Sequence, residues 1–159
     1  MNKVSQKSLE SRVEREIRQR RLISAGDIVY VSPGVYRETL TIDISGTAGN
    51  PITYVADVTG EHTDSIGGIV RITGSDNDQT ATRANCITAT SKGYRTFTGF
   101  AFDICTSHLI SLISACSNWI IQDCSFDGAN TAVNSINIAG TGTANTVRRC
   151  LFRATRGSH

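Results

Sequence analysis

No stretch of this 159-residue chain approaches the apolar length of a membrane-spanning helix, and its charged N-terminus lacks the hydrophobic centre of a secretory leader. The expectation is therefore a cytoplasmic protein, with a secreted or viral parent left open. Five cysteines are present, yet none forms a CxxC pair or a Cys/His cluster at zinc spacing. A zinc site is excluded on spacing, and without a leader the cysteines are expected to be buried thiols rather than a disulfide framework. A nucleophilic cysteine needs a paired base, and none is near in sequence. Residues 84–155 show no 3.6-residue patterning, which excludes helical repeats and any strand–helix–strand unit there. Charge is also scarce beyond the first 22 residues. That N-terminal segment carries seven basic and three acidic side chains, so the rest of the chain is net negative although the whole is +2.

What is present is a repeat. Phe97-x-x-Phe100-x-Phe102, Ile121-x-x-Cys124-x-Phe126 and Val147-x-x-Cys150-x-Phe152 superpose without gaps, recurring after 24 and then 26 residues. A fixed period in this range marks a solenoid, in which each repeat is a supersecondary unit stacked on its neighbours. The last two apolar positions of each unit have the period of two expected of a strand with one buried face. They predict inward columns Phe100, Cys124, Cys150 and Phe102, Phe126, Phe152. Weaker strands fall between, at Cys86–Ala89, His108–Ile113 and Ser135–Ile138. Several short strands per period predict an all-β parallel β-helix of about four short coils, right-handed if the resemblance described below holds.

The chain divides into three parts. In residues 1–24, Leu9, Val13 and Ile17 recur every four positions, the pattern of an amphipathic helix that Ser5 or Ser8 could cap and Gly26 would end. It is expected to cover the open first coil, because terminal repeats need a polar outer face; a nucleic-acid or membrane arm is the alternative. Residues 25–155 form the β-helix. Residues 156–159, Arg-Gly-Ser-His, resemble an affinity-tag remnant. The last coil is then uncovered, which predicts a homo-oligomer formed through open coil ends.

Ala25-Gly26-Asp27-Ile28-Val29-Tyr30-Val31-Ser32-Pro33-Gly34-Val35-Tyr36 resembles the entry coil of right-handed parallel β-helix proteins. The segments Ser45–Tyr54 and Val70–Gly74 are similar to the same region of the chondroitinase B and alginate lyase group of polysaccharide lyases. In mechanical terms Gly26-Asp27, Pro33-Gly34 and Gly49-Asn50-Pro51 are turns. The resemblance covers about a third of the chain. It implies an acidic polysaccharide as partner, proton abstraction by a basic residue pair, and calcium as a cofactor. No catalytic residue of that group is matched position by position.

The repeat register supplies candidates of its own. Asp103, Asp127 and Arg153 follow the final Phe of each unit and should stack about 5 Å apart. Two such carboxylates would share protons or bind a cation, and the arginine could hold an acidic sugar, so these three are the candidate catalytic residues. A carboxylate pair near that spacing also suits a small retaining glycoside hydrolase. Asp123 and Arg149 are expected to pair across strands. Lys92, Arg95, Trp119 and Arg149 are candidate substrate-binding residues, with Trp119 suited either to sugar stacking or to the packed wall. On the other side stands a solvated ladder of ion pairs, each contributing under about 1 kcal/mol. His62 and His108 are isolated and read as structural. Asp76-Asn77-Asp78 has calcium-loop spacing without the following Gly and distal Glu, and reads as a turn. Three functions follow: an acidic-glycan module resembling a shortened lyase with weak or no turnover, a self-assembling structural solenoid such as a spike or adhesin fragment, or a hydrolase using Asp103 and Asp127.

Overall fold

The computed structural model describes residues 23–128 and 134–153. The expected N-terminal helix and the tag-like terminus lie outside them. Among the described residues the protein is all-β, with fourteen strands in three parallel sheets. Four turns each contribute three strands: β1 (Ile28–Val31), β2 (Gly34–Tyr36) and β3 (Leu40–Ile42); β4 (Ile52–Ala56), β5 (Val70–Thr73) and β6 (Asn85–Thr90); β7 (Gly93–Thr98), β8 (Ala101–Asp103) and β9 (His108–Ile113); β10 (Ser117–Gln122), β11 (Ser125–Asp127) and β12 (Asn134–Ala139). Strands β13 (Thr146–Arg148) and β14 (Leu151–Arg153) add part of a fifth turn, one more than the expected four. Every third strand pairs in parallel, β1-β4-β7-β10-β13 forming one wall, β2-β5-β8-β11-β14 the second and β3-β6-β9-β12 the third. This is the β-solenoid that the repeat predicted.

The register holds to the residue. Phe102 pairs with Phe126 and Phe126 with Phe152. Their rings stack with centroids 5.3 and 4.9 Å apart. A second aromatic run crosses the first wall, where Tyr54 stacks on Phe97 at 4.7 Å and Phe97 on Trp119 at 5.8 Å. Identical offsets between turns bring like side chains to strand spacing, so each ring caps the one before it and none of the inner ones meets water.

One feature of the repeat is not as expected. Phe100, Cys124 and Cys150 do not share a strand with the Phe ladder; they precede it, on a corner between the first and second walls. The residue before each, Gly99, Asp123 or Arg149, has positive φ (83°, 55° and 51°). The apparent strand motif is thus a strand end, a left-handed corner and a strand start. Other corners repeat the device. Ser91, Ser114 and Gly140 turn the chain out of the third wall, and Ile104 and Gly128 turn it out of the second, all at positive φ. Left-handed residues cost most side chains free energy. Here they recur at equivalent places in successive turns, and neighbouring turns bond across them, as where Gly99 N donates to Gln122 O and Asp123 N to Arg148 O. Two of the turns expected in the entry region are formed at Gly26 and Gly49, both with positive φ, and Thr47 and Asn50 exchange backbone hydrogen bonds at 3.1 and 3.0 Å; at the third, Pro33 bends the chain and Gly34 opens β2.

The cysteines are free thiols, as expected, with Cys86, Cys105, Cys116 and Cys124 buried and Cys150 half-buried. Burial pushes the Cys124 thiol up to about 12, so it stays protonated and apolar.

Candidate functional site

The column Asp103, Asp127, Arg153 exists as Cα partners on the outer face of the second wall. Its members are already engaged. Arg153 Nη1 donates to Asp127 Oδ2 at 3.2 Å, joining the lower two. Asp103 instead faces upward to Arg71, whose Nε donates to Asp103 Oδ2 at 2.5 Å. Arg71 sits on β5, one position before the Phe-ladder residue Ile72, and reaches diagonally across the strand boundary. Its Nη1 donates to Asp78 Oδ1 at 2.6 Å, and Arg37 Nη2 donates to the other oxygen, Asp78 Oδ2, also at 2.6 Å. The result is an alternating chain of charge, Arg37–Asp78–Arg71–Asp103, along one side of the solenoid.

Neither Arg37 nor Arg71 was singled out by the sequence. Asp78 belongs to a loop with no counterpart in the other turns, so no repeat alignment could have supplied it. The loop itself is the turn expected at Asp76-Asn77-Asp78. Asn77 Oδ1 accepts from the backbone of Gln79 and Thr80 at 3.0 and 2.8 Å, and Asp76 accepts from Arg83 Nη1 at 2.7 Å. No cluster of three or more potential metal-ligating side chains occurs among the described residues.

The expected Asp123–Arg149 pair is formed at the left-handed corner, with Arg149 Nε on Asp123 Oδ1 at 2.6 Å and Nη2 on Oδ2 at 2.7 Å. This fork holds the Asp123 carboxyl below its ordinary value. Beside it Arg148 donates through Nε and Nη2 to Gln122 Oε1, and Gln122 Nε2 donates to Thr98 Oγ1. Arg149 is therefore committed to a carboxylate of its own chain.

Two of the four proposed substrate-binding residues are inside the wall. Trp119 is 0% exposed and Arg95 1%, consecutive rungs of the inward column that begins with Ile52. Trp119 as a sugar-stacking surface is thereby corrected: its ring packs on Phe97 and its Nε1 donates to Lys92 O at 2.8 Å. Arg95 as a surface cation is corrected too. It lies under Tyr54, 5.7 Å from the ring centroid, with Nη1 3.3 Å from the Tyr54 hydroxyl. Lys92 is half-buried and contributes its carbonyl to Trp119. The candidate residues thus do not converge: Asp103, Asp127 and Arg153 line the outside of the second wall, while Arg95 and Trp119 fill the inside of the first. His62 stacks on Tyr30 at 3.9 Å, and His108 opens β9 with its backbone N–H on Asn85 Oδ1.

The paired face makes a pH prediction. Arg37, then Arg71, hold Asp78 at about 2, below its ordinary 3.8. A carboxylate depressed on folding contributes stability that is present above the unfolded value and lost as pH falls through the folded one. Melting temperature should therefore drop between pH 4 and pH 2, and Asp78→Asn should drop less over that window. Equal slopes for the two proteins in a thermal scan would remove Asp78 from the acid response.

Comparison of the chain with protein-family models, with curated proteins and with solved structures finds no match in any of the three.

Proposed function

We propose that this protein is a structural β-solenoid that self-associates with a second copy through its last turn. One observation carries this: the inward column is open at the last turn. At the first turn its member Tyr36 is buried, although the outward Ile28 and Val35 are exposed. At the last, the inward Phe152 is 51% and Val147 40% exposed. Each of these lies on a strand paired on one side only among the described residues. Half-exposed aromatic and aliphatic side chains beside unpaired backbone are the features that recruit another strand edge. A pair joined through the last turn alone is closed and two-fold, the same surface serving both partners.

The charged outer face supports the structural reading over the acidic-glycan one. Recognition of an acidic sugar needs cations free to turn outward, whereas Arg37, Arg71, Arg149 and Arg153 each hold an aspartate. The hydrolase reading asks Asp103 and Asp127 to act as a pair, yet each already accepts from a different arginine.

Light scattering of the whole chain across a concentration series tests the proposal. The expected result is twice the chain mass at high concentration, reverting to the monomer in Phe152→Glu, which places charge on the exposed rung. A monomer at every concentration overturns it. So does the appearance of ultraviolet-absorbing unsaturated product on incubation with alginate, chondroitin or pectin.

A further inference from the structure

Outside the ladders, one pair of reactive groups is placed together by the fold and used by nothing above. Cys86 is the second residue of β6, and Cys105 follows β8 in the next turn. Their sulfurs lie 3.3 Å apart, 19 residues distant in sequence, and both side chains are fully buried. These two do not belong to the Phe100, Cys124, Cys150 column, so the repeat does not explain them. The surrounding backbone leaves space for them specifically. A Cβ on Gly74 would come 2.7 Å from Cys105 Sγ and 2.5 Å from Ile104 O, so at this position glycine is what admits the sulfur. Cys86 Sγ is oriented by Ile72 O at 3.2 Å and by Asp103 O at 3.4 Å.

We propose that Cys86 and Cys105 are a modification site, a dithiol that forms a reversible disulfide stapling the second turn of the solenoid to the third. Disulfide bonding requires the sulfurs to approach by about 1.3 Å, to roughly 2.0 Å. The oxidant is a small external disulfide of the glutathione class. The Cys105 thiolate attacks one sulfur of that disulfide, the external S–S bond breaks, and one small thiol leaves with the electron pair. Cys86 then gives its proton to solvent and attacks Cys105 Sγ, expelling the second small thiol. Two protein thiols are oxidised and one external disulfide is reduced to two thiols. Cys105 is the entering nucleophile, since contacts from Cys86 and from the Gly74 backbone favour its thiolate, while burial opposes ionisation of Cys86. Because both sulfurs are buried, exchange proceeds through local opening of the corner and is slow in the native protein.

The test is incubation of the purified chain with oxidised glutathione, followed by alkylation under denaturing conditions, digestion and peptide mass mapping. The expected product is a peptide pair linked through Cys86 and Cys105, the other three of the five cysteines being alkylated. The melting temperature should rise by about 6–12 °C and return on treatment with dithiothreitol. Cys150→Ser should still form the link, and Cys86→Ala should not. Should Cys86→Ala fail to fold, the map of the unmodified sequence decides on its own. Five alkylated cysteines, a glutathione adduct that never resolves, or a link through Cys116, Cys124 or Cys150 each overturn the proposal. Subunit mass plays no part in this readout, so it stands or falls separately from self-association.

Discussion

Phe126→Ala should destabilise the protein by about 3–5 kcal/mol, while Phe152→Ala, the same substitution one rung lower, should cost about 1–2 kcal/mol. The two residues are Cα partners in adjacent strands and belong to one ladder. They differ in surroundings. Phe126 is 0% exposed and has a ring on either side, Phe102 at 5.3 Å and Phe152 at 4.9 Å. Its removal opens a cavity that the neighbouring turns cannot fill, because their strands are held at fixed spacing by the ladder hydrogen bonds. Two aromatic contacts disappear with it, each contributing about 0.5–1.5 kcal/mol beyond area. Phe152 has one ring partner and half of its surface in water, so the truncation leaves a dent instead of a void. Denaturant unfolding at low protein concentration, where association does not add to Phe152, measures both. Equal costs would mean that the rings do not support one another, and the ladder would lose its place as the spine of the fold.

That ladder was legible because a solenoid translates sequence period into spatial adjacency. With Phe102, Phe126 and Phe152 aligned, strand spacing supplies the rest, and the column Asp103, Asp127, Arg153 and the pair Asp123–Arg149 come with it. The corners were not legible. A left-handed residue is easily read in glycine, as at Gly99, but Asp123 and Arg149 occupy the equivalent position with side chains that give no such signal. Their conformation is imposed by the stack: each bends because the turn before it bends, and hydrogen bonds between turns hold it there.

The placement of Arg95 has a different cause. Counting back by two from Phe97 and Ile121 puts Arg95 and Trp119 on the inward face, and the structure agrees with the count, which decides for Trp119 between the packed wall and the surface. The polar chemistry of arginine argues for the surface, against its phase in the strand. In a wall this regular, phase governs. The outer charge network was illegible for yet another reason: its hub, Asp78, sits in a loop that interrupts the repeat, so Arg37 and Arg71 have a partner no alignment of turns reveals. A solenoid announces what repeats and conceals what is inserted.

Replacing Arg95 by methionine should stabilise the protein, by about 1–3 kcal/mol, whereas the charge-preserving Arg95→Lys should destabilise it. The guanidinium is 1% exposed between Ile52 and Trp119, and burial holds its pKa below the ordinary 12.5. Its compensation comes from Tyr54 and from the charge of Asp43. Nη1 reaches the Tyr54 hydroxyl at 3.3 Å, the plane lies against the Tyr54 ring, and Nε has no partner. Burial outweighs these contacts and the charge of Asp43, since the net effect is to lower the pKa of the guanidinium. Methionine keeps the length and flexibility needed to fill the slot and removes the charge, and its sulfur packs well against the rings of Tyr54 and Trp119. Lysine keeps the charge but concentrates it on one atom, loses the flat contact with Tyr54 and fits the column no better. Urea midpoints of the three proteins at neutral pH decide the matter. The order Met above Arg above Lys is expected; a methionine variant less stable than the parent by more than about 1 kcal/mol would show that this arginine is matched inside the wall after all.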